Sequence, residues 1–232
     1  MTEEQIIVSQ ELNKLFPSYV NSLYLRNPNG EPLTLDATGN GSFKDYVKSF
    51  VMQSAQSELD THHAQEHWHY LVMEGSEVEK QNYLSIQNGT VTSLDWDGFI
   101  HAITRMKPAP AFDALDLNSP ENDEFGTENI SAKHFTEYAH KHSKVHGELA
   151  DSQIIKMMNP LSYIGCADTA PHWRIRHGVY DRDTSLAIPV ILATMLENKG
   201  LQVDFSLPWG LPHSGDYDLN ALFIWIDHLC GH

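Results

Sequence analysis

After Pro160 the sequence settles into an alternation of strand, helix, strand and helix, and that order dictates the sheet it can build. Trp173-Arg174-Ile175-Arg176-His177 reads as a strand, and Ser185 to Lys199 reads as a helix closed by Gly200 just past its end. Leu201 to Leu207 follows as a second strand, and Leu219 to Leu229 as an amphipathic helix. A strand–helix–strand crossover is right-handed and leaves its two strands parallel. Parallel strands are buried on both faces by helices, so two of them do not stand alone. The segment is expected to be the edge of a larger α/β sheet.

Upstream the character is different. Thr2, Glu3 and Glu4 open a helix over residues 2 to 16, with Ile6, Ile7, Leu12 and Leu15 at helical spacing and Pro17 as its expected end. Asn27-Pro28-Asn29-Gly30 predicts a hairpin between Leu23-Tyr24-Leu25 and Leu33-Thr34-Leu35. Residues 43 to 58 read as a helix. Asn88-Gly89 predicts a second hairpin between residues 83–86 and 90–92, and Asp95 can cap a helix running to Thr104. From Met106 to Thr127 the chain is rich in Pro, Asn and Asp and lacks periodicity; a loop of about 20 residues is more often functional than idle. Residues 130 to 147 and 151 to 158 read as His-rich polar helices.

The totals exclude some functions. The 232 residues carry a net charge of −16, with a sequence pI near 5.1, which disfavours nucleic acid and anionic membrane surfaces. No apolar run reaches the roughly 18 residues of a membrane helix. Cys166 and Cys230 are too few for a disulfide framework. No basic segment followed by an apolar one opens the chain, so no secretory signal is visible and the cytoplasm is the expected compartment.

Two loops carry candidate chemistry. His177-Gly178-Val179-Tyr180-Asp181-Arg182-Asp183 follows the first strand, and Leu211-Pro212-His213-Ser214-Gly215 follows the second. Loops at the carboxyl ends of parallel strands are where open α/β sheets bind ligands. Asp181 and His213 are therefore expected side by side. An acid that orients a histidine fixes its tautomer and stabilises the imidazolium formed when it deprotonates a serine. Acid before histidine, late in the chain, is also the triad order of α/β-hydrolases. The bland alternative is a surface acid and a surface histidine flanking a βα unit.

The stretch Ala170-Pro171-His172-Trp173-Arg174-Ile175-Arg176-His177-Gly178, continuing through Asp181-Arg182-Asp183-Thr184, resembles the C-terminal region of bacterial subtype-B tannases. So do Leu207-Pro208-Trp209-Gly210 and His213-Ser214-Gly215-Asp216-Tyr217-Asp218, and the loop from Met106 through Asp113 to Asn118-Ser119-Pro120-Glu121-Asn122. The resemblance implies Asp181 as triad acid and His213 as triad base. It further implies that Lys107, Glu121 and Asp183 contact the phenolic hydroxyls of a galloyl ester, with Lys107 donating and the two acids accepting. A surface Lys107–Glu121 ion pair of little energetic consequence is the competing reading.

The family's nucleophile sits in G-x-S-x-G, and no such motif occurs here; Gly39-Asn40-Gly41-Ser42-Phe43 and Leu161-Ser162-Tyr163-Ile164-Gly165 do not fit it. The fold class expected is therefore α/β, as an incomplete α/β-hydrolase. Residues 1–158 form a mixed helix and hairpin lid, and residues 159–232 form the C-terminal βαβα of the core. The expected partners are an aromatic ester and a separately encoded N-terminal hydrolase half. The alternatives are an inactive truncated product, an aromatic-ester binding module, and a general or feruloyl-type carboxylesterase. No cofactor and no metal are expected. His63 and His67, one helical turn apart, are a weak zinc pattern without a third ligand. Cys166, among apolar neighbours, is expected to be buried and inert.

Overall fold

The computed structural model describes residues 2–61, 83–104, 107–166, 168–215 and 217–231. The His62–His69 cluster lies outside the described residues, as do Met106 and Asp216. The described elements are eight α-helices and four strands: α1 (Glu3–Ser22), α2 (Ser42–Thr61), β1 (Leu84–Gln87), β2 (Thr90–Leu94), α3 (Trp96–Ile103), α4 (Pro120–Glu124), α5 (Glu137–Lys141), α6 (Ser152–Met158), β3 (His172–Arg176), α7 (Ala187–Asn198), β4 (Gln202–Ser206) and α8 (Leu219–Cys230). They group into two compact units, each assembled from three chain segments.

The first unit comprises Met1–Val47, Arg105–Trp173 and Val190–Val203. Thr2 and Gln5 form a reciprocal capping box at the start of α1. The helix does not stop at Pro17, as its sequence led one to expect; Pro17 is buried inside it, and Val20 one turn further is fully buried. The hydrogen bond lost at the proline is offset by apolar burial on the same face. Tyr138 donates to Glu11 at 2.6 Å and Lys144 pairs with Glu4 at 2.7 Å, tying α1 to the segment around α5. The expected first hairpin is a turn closed by a single bridge, Arg26 to Pro32, without extended strands.

Most of residues 130–147 are not helical. Only the five residues of α5 are, because the Phe135 and Thr136 N–H groups go to the Asp113 side chain and not to a helical ladder. The loop predicted over 106–127 contains α4, with Ser119 as its cap and Pro120 in its first turn. Cys166 is exposed, in the turn after Pro160–Ser162, which corrects the expectation of a buried thiol.

The second unit comprises Lys48–Thr104, Arg174–Pro189 and Asp204–His232. Asn88 and Gly89 both take positive φ and turn β1 into antiparallel β2 as a primed hairpin. Gln56 on α2 holds that turn, donating to the Gly89 carbonyl at 3.0 Å and accepting from the Val91 N–H at 2.8 Å. Tyr83 packs edge-on against the fully buried Phe99 of α3.

Strands β3 and β4 form a two-stranded sheet. Gln202 N–H donates to Pro171 O at one end and His177 N–H to Ser206 O at the other, so the two strands run in the same direction. Arg174 and Arg176 on β3 form an ionic network with Asp204 on β4 and with Asp218, the residue before α8. Residues of β3 are all half-buried, and the large exposed apolar side chains of this unit lie mainly on α8: Leu219, Phe223, Ile224, Ile226 and Leu229.

Candidate active site

The site grows from how the loops after β3 and β4 are stitched together. Val179 N–H donates to Pro208 O and Tyr180 N–H to Leu211 O, each at 3.0 Å. Gly178 makes this approach possible. A Cβ there would lie 2.1 Å from Leu211 O and 2.7 Å from Pro212 O, both backbone atoms with no freedom to swing aside. Gly178→Ala is accordingly expected to push the 211–213 segment away, cost about 1–3 kcal/mol of stability, and abolish the hydrogen-bonded Nδ1–H signal of His213 in proton NMR. An unchanged signal would separate the glycine from the histidine's position.

The approach brings Asp181 and His213 together. Asp181 Oδ1 accepts from the N–H groups of Asp183 at 2.8 Å and Thr184 at 2.9 Å. Its Oδ2 meets His213 Nδ1 at 2.9 Å. The acid side chain is 3% exposed and the imidazole 66% exposed. A buried acid with a fixed orientation therefore holds one nitrogen of an open histidine and leaves Nε2 to meet a reactant. Burial pushes the Asp181 carboxyl up, but the Thr184 N–H, His213, the Asp183 N–H and the charge interaction with His177 outweigh it and hold it below its ordinary value. Asp181 is thus an anion when the pair works.

His177, which opens the candidate loop, is a member of the site to which the sequence analysis gives no role. Its Nε2 lies 3.5 Å from Asp181 Oδ2, buried and without a hydrogen-bond partner. Burial depresses its pKa; Asp181 opposes this, His213 adds to it, and a bond to the Thr184 backbone opposes it. The folded protein therefore binds this proton less readily than the unfolded chain, whose ordinary histidine value is 6.5. Stability is expected to fall as pH drops below about 6.5, because unfolding then takes up a proton that the folded state resists. Asp181 has the opposite origin and the same slope: its contribution is present above its unfolded value of 3.8 and lost as pH falls through the lower folded one. Urea midpoints from pH 8 to 5 check this, and His177→Phe should flatten the part of the slope nearest pH 6.5. An equally steep slope in that variant would count against the assignment.

Asp183 lies beside the pair, with ligand atoms of Asp181, Asp183 and His213 within 4.8 Å of one another, the one such trio among the described residues. Both Asp181 oxygens already accept hydrogen bonds, which suits an acid that orients an imidazole; a cation would have to displace them.

Lys107 and Glu121 lie in the first unit and are joined at 2.6 Å. Lys107 Nζ also stands 4.5 Å from the centre of the Phe112 ring. Burial pushes Glu121 up, while the Lys107 hydrogen bond, the backbone at the start of α4 and Ser119 hold it below its ordinary value. One Glu121 oxygen, Oε2, is buried without a partner. The pair is half-buried rather than a fully solvated surface contact, and it keeps an unused acceptor.

The first unit contains a chain of acid, histidine and serine. Asp113 Oδ1 meets His134 Nδ1 at 2.8 Å, and His134 Nε2 meets Ser143 Oγ at 2.8 Å. This one is architectural. His134 is completely buried, Ser143 donates to Val145 O at 2.7 Å, and the N–H groups of Ser143, Lys144 and Gly147 are all spent on backbone carbonyls. Those N–H groups are therefore not available to an oxyanion.

Fold and site together define an α/β chain with an oriented acid–histidine pair in the loops beyond two parallel strands. No protein-family profile and no curated protein sequence matches the chain. Among solved structures it is similar to a tannase from Lactobacillus plantarum, with a TM-score of 0.89 and 46% identity over 99% of this chain and 47% of that one. A tannin acyl hydrolase in complex with ethyl gallate gives a TM-score of 0.89 and 46% identity, covering 99% of this chain and 48% of that one. The Fusobacterium nucleatum tannase gives 0.88 and 42%, covering 99% and 47%. The chain is tannase-like over nearly its whole length, and it spans about half the length of the tannases it matches.

Proposed function

We propose that this chain supplies the acid–base half of a tannase-like carboxylic ester hydrolase. The observation that carries the reading is the buried Asp181 carboxylate bound at 2.9 Å to the exposed His213. The nucleophilic serine comes from a G-x-S-x-G segment outside these 232 residues. In this reading residues 1–158 are the lid of an α/β-hydrolase and residues 159–232 the end of its core sheet. The exposed apolar face of α8, with Phe223 and Ile224 at 60% and 68% exposure, supports a further hydrolase segment packing over it.

Catalysis follows the acyl-transfer scheme. His213 Nε2 accepts the serine proton as the serine oxygen attacks the ester carbonyl. Collapse of the tetrahedral adduct breaks the ester C–O bond, and His213 returns the proton to the departing alcohol. Water then attacks the acyl-serine with His213 again as base, releasing the carboxylic acid and restoring the serine. Asp181 remains ionised and holds the ring. Lys107, Glu121 and Asp183 serve recognition of phenolic hydroxyls, one as donor and two as acceptors. Such a site discriminates strongly against esters lacking hydroxyls, because its polar groups would be left unpaired.

The test mixes this chain with the part of the Lactobacillus plantarum tannase that it does not cover. Hydrolysis of ethyl gallate by the mixture, with ethyl benzoate far slower, is the expected result. No hydrolysis by two folded parts would sink the reading, and equal rates on both esters would reduce it to a general carboxylesterase.

A further inference from the structure

The His213 ring is 66% exposed and is held by its hydrogen bond to Asp181, and the backbone that carries it is gripped as well. The fixing group is a phenol. Tyr217 Oη accepts from the Ser214 N–H at 3.1 Å and donates to the Pro212 carbonyl. It thus grips the residues on either side of His213 with one oxygen.

That grip is itself anchored. The next residue, Asp218, receives Arg174 Nη1 at 3.0 Å, Arg174 Nη2, and Arg176 Nε at 3.2 Å. Both arginines belong to β3, the strand that leads into Asp181, and Arg174 is only 7% exposed. Asp218 stands at the N-cap of α8 and makes no cap bond with its side chain, its carboxylate being given to the arginines. The loop is also held at its start, by the Tyr180 N–H on Leu211 O. A charge-assisted anchor at Asp218, a backbone bond at Leu211 and a phenol on Pro212 and Ser214 hold the backbone of His213 beside Asp181.

The geometry points to Tyr217 as a positioning residue for His213: its hydroxyl clamps Pro212 and Ser214 and so sets the backbone from which the imidazole reaches Asp181. The inference rests on the acid–base reading of that pair.

Tyr217→Phe removes one oxygen and keeps the ring. In the full chain, the hydrogen-bonded Nδ1–H of His213, assigned by its loss in His213→Asn, is expected to exchange with water at least tenfold faster in Tyr217→Phe. The amide signals of the 84–94 hairpin should stay unchanged. In the reconstituted ester hydrolase the same variant is expected to lower kcat about tenfold with KM unchanged. An unaltered exchange rate with the hairpin signals intact would overturn the inference. So would a change confined to KM. The NMR reading requires no hydrolysis, so an inactive wild-type mixture would fault the functional reading and leave the clamp to be judged by proton exchange.

Discussion

Asp181→Asn is expected to lower ester hydrolysis by the reconstituted protein by about 10⁴-fold in kcat, the scale seen when an orienting acid loses its charge but keeps its shape. The mechanism lies in the two oxygens. Oδ1 is bound by the N–H groups of Asp183 and Thr184, so an amide introduced here would keep its carbonyl on those donors and turn its NH₂ toward His213. That NH₂ faces Nδ1 as a donor where the carboxylate was an acceptor. The ring then presents a hydrogen on Nε2, the nitrogen that must take the serine proton. KM should change little, since the acid is 3% exposed and does not meet the substrate. Asp183→Asn, two residues on, is expected to act mainly on KM for phenolic esters. Steady-state kinetics on ethyl gallate separate the two, and a loss below tenfold for Asp181→Asn would remove Asp181 from the mechanism.

The second large effect concerns stability. Asp113→Ala is expected to cost about 3–5 kcal/mol, because it strips the partner from a fully buried network rather than from a surface pair. Asp113, 2% exposed, accepts from His134, from Asn122 Nδ2, from the Phe135 N–H and from both the N–H and hydroxyl of Thr136, all between 2.7 and 2.9 Å. Burial pushes this carboxyl up, and the bonds from His134, Thr136, Asn122 and Phe135 more than reverse it. Deleting the acid leaves those donors in a site too enclosed to hydrate them, including a histidine with no exposure at all. A urea midpoint shift of that size with little change in slope is the expected signature. A shift under 1 kcal/mol would show that water enters and replaces the carboxylate.

The same network explains where the sequence was and was not legible. β3, α7, β4 and α8 could be read because apolar runs are bounded by Gly200 and by polar loops, and the second hairpin because Asn88-Gly89 specifies its own turn. The edges that depend on partners distant in the chain could not. Residues 130–147 have helical composition, but Asp113, more than twenty residues earlier, captures the N–H groups at 135 and 136. α1 runs past Pro17 because burial of Val20 is a tertiary effect invisible to a rule about proline. α4 was legible in principle from Ser119-Pro120-Glu121, a cap and first turn hidden inside a loop-like composition. At the site, position after a parallel strand and resemblance to tannases brought Asp181 and His213 forward. Gly178, His177 and Tyr217 matter through a close approach, a burial and a loop clamp, none of which has a signature in residue spacing.

We propose His213, oriented by Asp181, as the base for a serine supplied from outside these residues. The most direct test is the rate at which a fluorophosphonate ester labels the serine of the complementary tannase segment. Acceleration by this chain, lost with His213→Ala and largely lost with Asp181→Asn, is the predicted result. Equal acceleration by the wild-type chain and His213→Ala would contradict it, showing that the chain stabilises its partner without taking part in proton transfer.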